Sequence, residues 1–201
     1  MTTLSGIQDR IRDKLQEYSK NWLTDDMLTD IINYSIKHIA TISLVFKKLY
    51  NVTISNTNIV PLPDDFINSI SLKIGTNVYP KKNYEDMEFI DEESKYHYIV
   101  NGTLYLSHDA SGDVEMMYNY IPDDLEDADD ELDQNFKGFV NCLVTHCVSE
   151  VFGMDGDTER QAFNYNVFRS QMKTFIKTKT NVDNGRALFK KIDYRNFWDN
   201  V

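Results

Sequence analysis

The chain has 201 residues, 41% of them hydrophobic and 26% charged, a composition that suits a soluble globular fold long enough to close a real core. No apolar run approaches the ~20 residues of a membrane span, and residues 1–12 interrupt with charges the hydrophobic centre an export signal needs, so synthesis in a cytoplasm is expected and a membrane partner is not. The net charge of −11 is uneven, because nine Lys or Arg against three Asp follow from Arg160 onward; an acidic body disfavours general nucleic-acid binding, while a basic end suits an acidic partner surface.

Leu4, Ile7, Ile11, Leu15 and Tyr18 recur at helical spacing with charged residues between them, predicting a first helix over 4–20. Thr24 suits the N-cap of a second helix, Asp25 and Asp26 suit its positive end, and Leu23 can staple onto Leu28. Leu28, Ile31, Ile32, Ser35, Ile39, Ile42, Phe46 and Leu49 form one stripe, with Lys47 and Lys48 in the last turn, so this helix is expected over 25–49.

After Asn51 the period changes, and Thr, Asn and β-branched residues lead to Pro61-Leu62-Pro63, which forbids a helix. A β insertion over 52–121 is expected. Phe66 to Ile74 and Asn77 to Tyr79 read as short strands joined at Gly75, and Tyr84 to Glu93 as a short acidic helix. Asn101-Gly102 accepts the positive φ angles of a type I′ turn. The resulting hairpin sets Ile99 against Leu104 and His97 against Leu106 on a core side, and Tyr98 against Tyr105 on the other. A turn at Ser111-Gly112-Asp113 then precedes a strand from Val114 to Tyr120, stopped by Pro122.

Asp123, Asp124, Glu126, Asp127, Asp129, Asp130 and Glu131 belong to an acidic run whose second half should lead into a helix over 129–152, with Phe136, Phe139, Val140, Leu143, Cys147 and Val151 buried. Gly153 to Asp157 breaks it, and a fourth helix is expected over 158–179. The fold class expected is α+β: a four-helix bundle with a small antiparallel sheet inserted between two sequential helical pairs, one unit over 1–180, followed by an extended tail over 181–201.

Catalytic signatures are missing from this sequence: the four histidines stand on separate elements, outside any nucleophile elbow or metal-binding HExxH pattern, and Gly is too scarce for a phosphate loop. Cys142 and Cys147 point roughly 140° apart on one helix and read as reduced core residues. Cys142, His146 and Glu150 share a helix face that can grip zinc given a fourth ligand, yet the spacing favours a histidine satisfied beside a core stripe. The acidic run and Asp155-Gly156-Asp157 offer oxygens to calcium but lack the EF-hand glycine and closing Glu, which favours solvated loops. No enzyme activity and no cofactor are expected.

The tail is the most unusual segment, because Phe189, Tyr194, Phe197 and Trp198 alternate with Lys190, Lys191 and Arg195, pairing apolar area with steering charge as an interface anchor does. The alternative is a last amphipathic helix folded back onto its own domain with Phe189, Ile192 and Phe197 in the core. Stacking on single-stranded nucleic acid is a third use, against which the acidic body argues.

The order of elements from Leu4 to Lys179 resembles the head-tail connector adaptors of tailed bacteriophages, the portal-proximal ring proteins of gatekeeper type. The likeness rests on the Trp22-Leu23-Thr24-Asp25-Asp26-Met27-Leu28 helix entry, the Val60-Pro61-Leu62-Pro63-Asp64-Asp65-Phe66 step, the Tyr98-to-Leu106 hairpin, and Val114 to Tyr120 closing on Ile121-Pro122 before the last helical pair. The resemblance implies a structural protein of the virion neck, assembled in the host cytoplasm. It further implies a ring, usually dodecameric, below the portal protein, touching copies of itself and the next tail or ring protein, with genomic DNA passing through unheld. Because C-terminal segments of that family commonly reach onto the portal, the tail residues are the expected docking set. The competing expectations are another tail-completion or non-enzymatic phage binding module and, from the carboxylates and His146, a hydrolase or metal enzyme.

Overall fold

The computed structural model describes residues 2–15, 22–84 and 94–183. Thr3 caps the first helix, α1 (Leu4–Lys14), accepting from the Gly6 N–H at 3.3 Å. Thr24 caps α2 (Asp25–Ser43), accepting from Met27 at 3.2 Å; each cap satisfies one backbone donor that no helical turn can reach.

α2 stops six residues before the expected end. Leu44 takes the left-handed conformation, φ 49°, with its N–H on the Ala40 carbonyl, and the stripe residue Phe46 leaves the helix to stack on Phe136, ring centroids 4.3 Å apart and planes 8° from parallel. Phe46 also meets Phe139 and the edge of Tyr120. Burial of one aromatic in a three-sided socket outweighs one more helical turn, so Lys47 and Lys48 open a strand instead.

That strand, β1 (Lys47–Val60), pairs antiparallel with the longest one in the fold. Next along the chain come β2 (Phe66–Ile74), β3 (Asn77–Val78), β4 (His97–Val100) and β5 (Thr103–Tyr120). β5 is the spine of this five-stranded sheet: β1 lies along one edge, while β2 and β4 share the other, one against each half. The hairpin has the register expected, Tyr98 opposite Tyr105 and Ile99 opposite Leu104, with Asn101 at φ 50° and Gly102 at φ 74°.

Ser111-Gly112-Asp113 is no turn. β5 runs through it, with Gly112 at φ 132°, and the irregularity is absorbed as a register shift opposite Ile54 to Thr57. There Asn56, at φ 45°, donates its N–H to Ser111 Oγ, and Thr53 Oγ1 donates to Asp113. A β-bulge of this kind bends both strands. The sheet curls until β2 and β4 meet through Ser69 and His97, whose Oγ and Nε2 are 2.8 Å apart. Because the Tyr79 carbonyl can only accept, His97 Nδ1 donates to it at 2.6 Å and Nε2 accepts from Ser69. Ile54, Val60, Leu72, Ile74, Leu104, Leu106, Val114 and Met116 fill the interior of this curl.

A strap, residues 121–133, leads back to the helices. The helix expected from residue 129 begins later: Leu4 and Leu132 N–H groups bond to the carbonyls of Asp130 and Thr2, holding the strap extended beside the start of α1. Asp133 then caps a 3₁₀ segment, Gln134–Phe139, which continues into α3 (Val140–Met154). α3 is buried on nearly every side, by α1, α2 and α4 (Thr158–Asp183), as its near-continuous apolar sequence requires.

The architecture is therefore mixed α+β, but it is not a four-helix bundle with a small insert. The sheet is large, with strands of 14 and 18 residues, and its Ile54, Leu72, Leu104, Val114 and Met116 join the helices in one buried core. α4 absorbs residues 181–183 of the expected tail. Residues 16–20 of the first expected helix, nearly all of the expected acidic helix 84–93, and the tail beyond 183 lie outside the described residues.

Phe46→Ala should remove the stack that turns helix into strand and lower stability by about 3–5 kcal/mol, as other buried Phe truncations do; a chemical denaturation midpoint within experimental error of the parent protein would refute that role.

Candidate functional site

The acidic strap is a built surface rather than a loose run. Leu125 and Leu132 are buried as anchors, and Asn33 of α2 clasps Leu125 in both directions, Nδ2 to its carbonyl and Oδ1 from its N–H, each at 2.9 Å. Asp130 turns inward on the strap itself: Oδ2 accepts from the N–H groups of Glu126 at 2.7 Å and Asp127 at 2.9 Å, and these bonds hold its carboxyl below the usual range. With the backbone thus fixed, Asp123, Asp124, Glu126, Asp127, Asp129 and Glu131 face solvent. Lys37 reaches Asp124 at 2.7 Å, an exposed pair that stabilises little. Ile36, Pro122, Leu125 and Leu132 floor a shallow cleft of about 340 Å³ whose acidic lining is Asp123, Asp124, Asp130, Glu131 and Asp133. Among the described residues no three His, Cys, Asp or Glu side chains converge on a metal position.

Where strap, sheet and α2 meet, polar groups lock the junction. Asn119 Nδ2 donates to the carbonyls of Leu44 at 2.6 Å and Phe46 at 3.1 Å. Asp65 accepts from Tyr118 Oη at 2.7 Å and Lys48 Nζ at 2.9 Å, and Asp133 accepts from Tyr120 Oη at 2.5 Å. The Lys48 ammonium also sits 5.3 Å from the centre of the Tyr120 ring. Its bond to Asp65 raises the lysine pKa, while burial and then the Asp133 bond push the Tyr120 phenol up to about 12; both stay protonated donors. These residues were not singled out from the sequence. The one available signal was the Asp64-Asp65 step after Pro63, which reads as an ordinary turn.

Cys142, His146 and Glu150 do stand on one helix face, but the site is chemically quiet. His146 is 1% exposed, its Nδ1 lies 2.8 Å from Ser35 Oγ, and its ring stacks on His38 at 4.8 Å and meets the edge of Phe168 at 4.6 Å. Burial first, and the neighbouring His38 second, push its pKa down to about 3. The imidazole is thus neutral at neutral pH, and Glu150, 3.7 Å from Nε2, is a neighbour and not a salt-bridge partner. Burial raises the Cys142 thiol to about 11 and the Cys147 thiol to about 12, so both are protonated thiols at neutral pH.

The neutral histidine links stability to pH. An unfolded chain protonates His146 near 6.5, whereas the folded chain resists until about 3. The stability this contributes is complete above 6.5 and falls through that window by roughly 1.4 kcal/mol for each unit of depression. His38 and His97, both lowered by burial, act in the same direction, while Glu150, raised by burial, acts against them. Urea midpoints should drop between pH 7 and pH 4, and His146→Gln should flatten the drop; an equal slope in both proteins would exclude His146 as its source.

The expected docking residues Phe189, Lys190, Lys191, Tyr194, Arg195, Phe197 and Trp198 lie outside the described residues. No described helix is long and apolar enough to cross a membrane. Among curated proteins none matches this chain. Residues 2–188, which span every element above, match the family described as SU10 adaptor protein. The chain belongs to that family of phage head-tail adaptors, structural components of the phage particle.

Proposed function

We propose that the protein forms a ring below the portal, in the virion neck, and extends the DNA channel toward the tail. The observation that carries this reading is the family match across residues 2–188, nearly the full chain. The ring would place copies side by side, in a dodecamer, with the portal protein above and the next tail or ring protein below. Assembly would take place in the host cytoplasm.

Two physical features support it. The solvent-facing carboxylates of the strap sit in a chain of net charge −11; a lining that neutralises no phosphate releases no counterions and so lets DNA slide. The junction around Asn119 and Asp65 couples the helices to the sheet, as a spacer that transmits register between neighbours requires. The basic, aromatic residues after Asp183 would anchor the ring on the portal, with Phe189, Phe197 and Trp198 supplying apolar area and Lys190, Lys191 and Arg195 the charge.

Deleting residues 184–201 should leave the circular dichroism spectrum nearly unchanged and abolish co-sedimentation with purified portal. Retained portal binding would remove the anchoring role, and a micrograph placing the protein outside the neck would remove the ring.

A further inference from the structure

A groove of about 350 Å³ opens between α3 and α4, lined by Gly138, Cys142, Ser170, Gln171, Thr174 and Phe175. One wall depends on residue 138 being glycine: a Cβ there would lie 2.4 Å from the Phe175 ring, which closes on the 3₁₀ segment at that point. The lining is mostly apolar, and the Cys142 thiol stays protonated. Of the polar side chains there, Thr174 Oγ1 donates to the Ser170 carbonyl at 3.1 Å, and one other stands apart. Gln171 Oε1 is buried and has no hydrogen-bond partner, and a buried acceptor in that state calls for a donor.

The volume is at the small end for ligand sites and matches one large side chain. The chain's own end supplies candidates. α4 continues from Phe175 to Asp183, about 12 Å at 1.5 Å per residue, and 18 residues follow. Fifteen of them reach residue 198, a span of up to ~50 Å, so a return of roughly 20 Å to Gln171 is well within range. Phe189 and Phe197 have no donor. Tryptophan combines the largest apolar face with a single N–H that only donates.

We propose that this groove seats Trp198 of the same chain, its indole N–H donating to Gln171 Oε1, before the protein meets its partner. The inference rests on reading 184–201 as the docking segment and adds a parked state for it: the aromatic anchor is stored against its own body and released when a partner surface binds it more tightly. An intramolecular seat benefits from a high effective concentration, which lets a single side chain compete.

The full-length protein carries the test. It has two tryptophans, so Trp22→Phe leaves Trp198 as the sole reporter. Its emission should be blue-shifted and its acrylamide quenching several-fold weaker than that of free tryptophan. Ser170→Phe, at an exposed position on the groove wall, should restore free quenching, and Gln171→Leu should restore part of it. Water-like emission in the parent overturns the proposal, as does protection that neither substitution changes. If circular dichroism shows that Ser170→Phe does not fold, Gln171→Leu decides alone. Protection that disappears on dilution would assign the groove to the end of a second copy and overturn the intramolecular seat. Portal co-sedimentation is read separately: an exposed Trp198 with portal binding intact sinks only the parked state, and a protected Trp198 without portal binding sinks only the docking role.

Discussion

The amide of Asn119 holds the point where helix becomes strand. One of its N–H groups satisfies the carbonyl of Leu44, which has turned left-handed, and the other joins the Tyr120 backbone N–H on the carbonyl of Phe46. That conformation costs roughly 1–2 kcal/mol for a residue with a Cβ, and a buried carbonyl left bare would cost a similar amount. The Phe46 stack offsets both. Once Phe46 is seated, Lys47 falls opposite Asn119, and the register of β1 on β5 is decided. β5 then fixes β2 on its other edge, from Tyr120 opposite Phe66 to Val114 opposite Ile74. One side chain thus ties the direction of α2 to the register of three strands.

The buried polar groups share a design. Ser35, His146 and Cys147 pair with one another inside the helices, and Ser69, His97 and the Tyr79 carbonyl do so inside the sheet. In both places a histidine is held neutral by burial, and a serine hydroxyl supplies its neighbour. Such pairs specify one packing, because a shifted element leaves the ring nitrogen without a partner, but they supply no charge for chemistry. Among the described residues the densest acidity lies outside, on the strap. That separation, inert inside and charged outside, agrees with a structural protein of a phage particle.

Much of this was legible from local residues. Thr24 before Asp25-Asp26 marks its helix start because the cap is a contact between neighbours in sequence, and Asn101-Gly102 specifies its hairpin because few other residues accept those angles. The end of α2 was not legible, since Phe46 and Leu49 continue the helical stripe and the reason to leave it, Phe136, is far away in sequence. Ser111-Gly112-Asp113 has the composition of a turn, and only the facing strand, with Asn56 bonded to Ser111, makes it a bulge. The breadth of the sheet was hidden with it, because a turn at residue 112 would divide β5 into two short strands. The acidic run was visible as charge. Its fixed shape, by contrast, depends on Asn33 and on the backbone of Thr2 and Leu4, which composition does not reveal.

Rigidity and charge placement are connected through the strap. Solvent-facing carboxylates repel one another, and a free loop would relieve that repulsion by spreading. Here Leu125 buries inside the run and Leu132 just after Glu131, while Asp130 accepts from two backbone N–H groups, so the remaining acids are held at fixed positions against their own repulsion. The same segment supplies Asp133, which both caps the 3₁₀ turn into α3 and accepts from Tyr120 of the sheet. A surface whose charge pattern is locked to both halves of the fold presents the same face in every copy, and repeated identical faces are what a symmetric assembly needs.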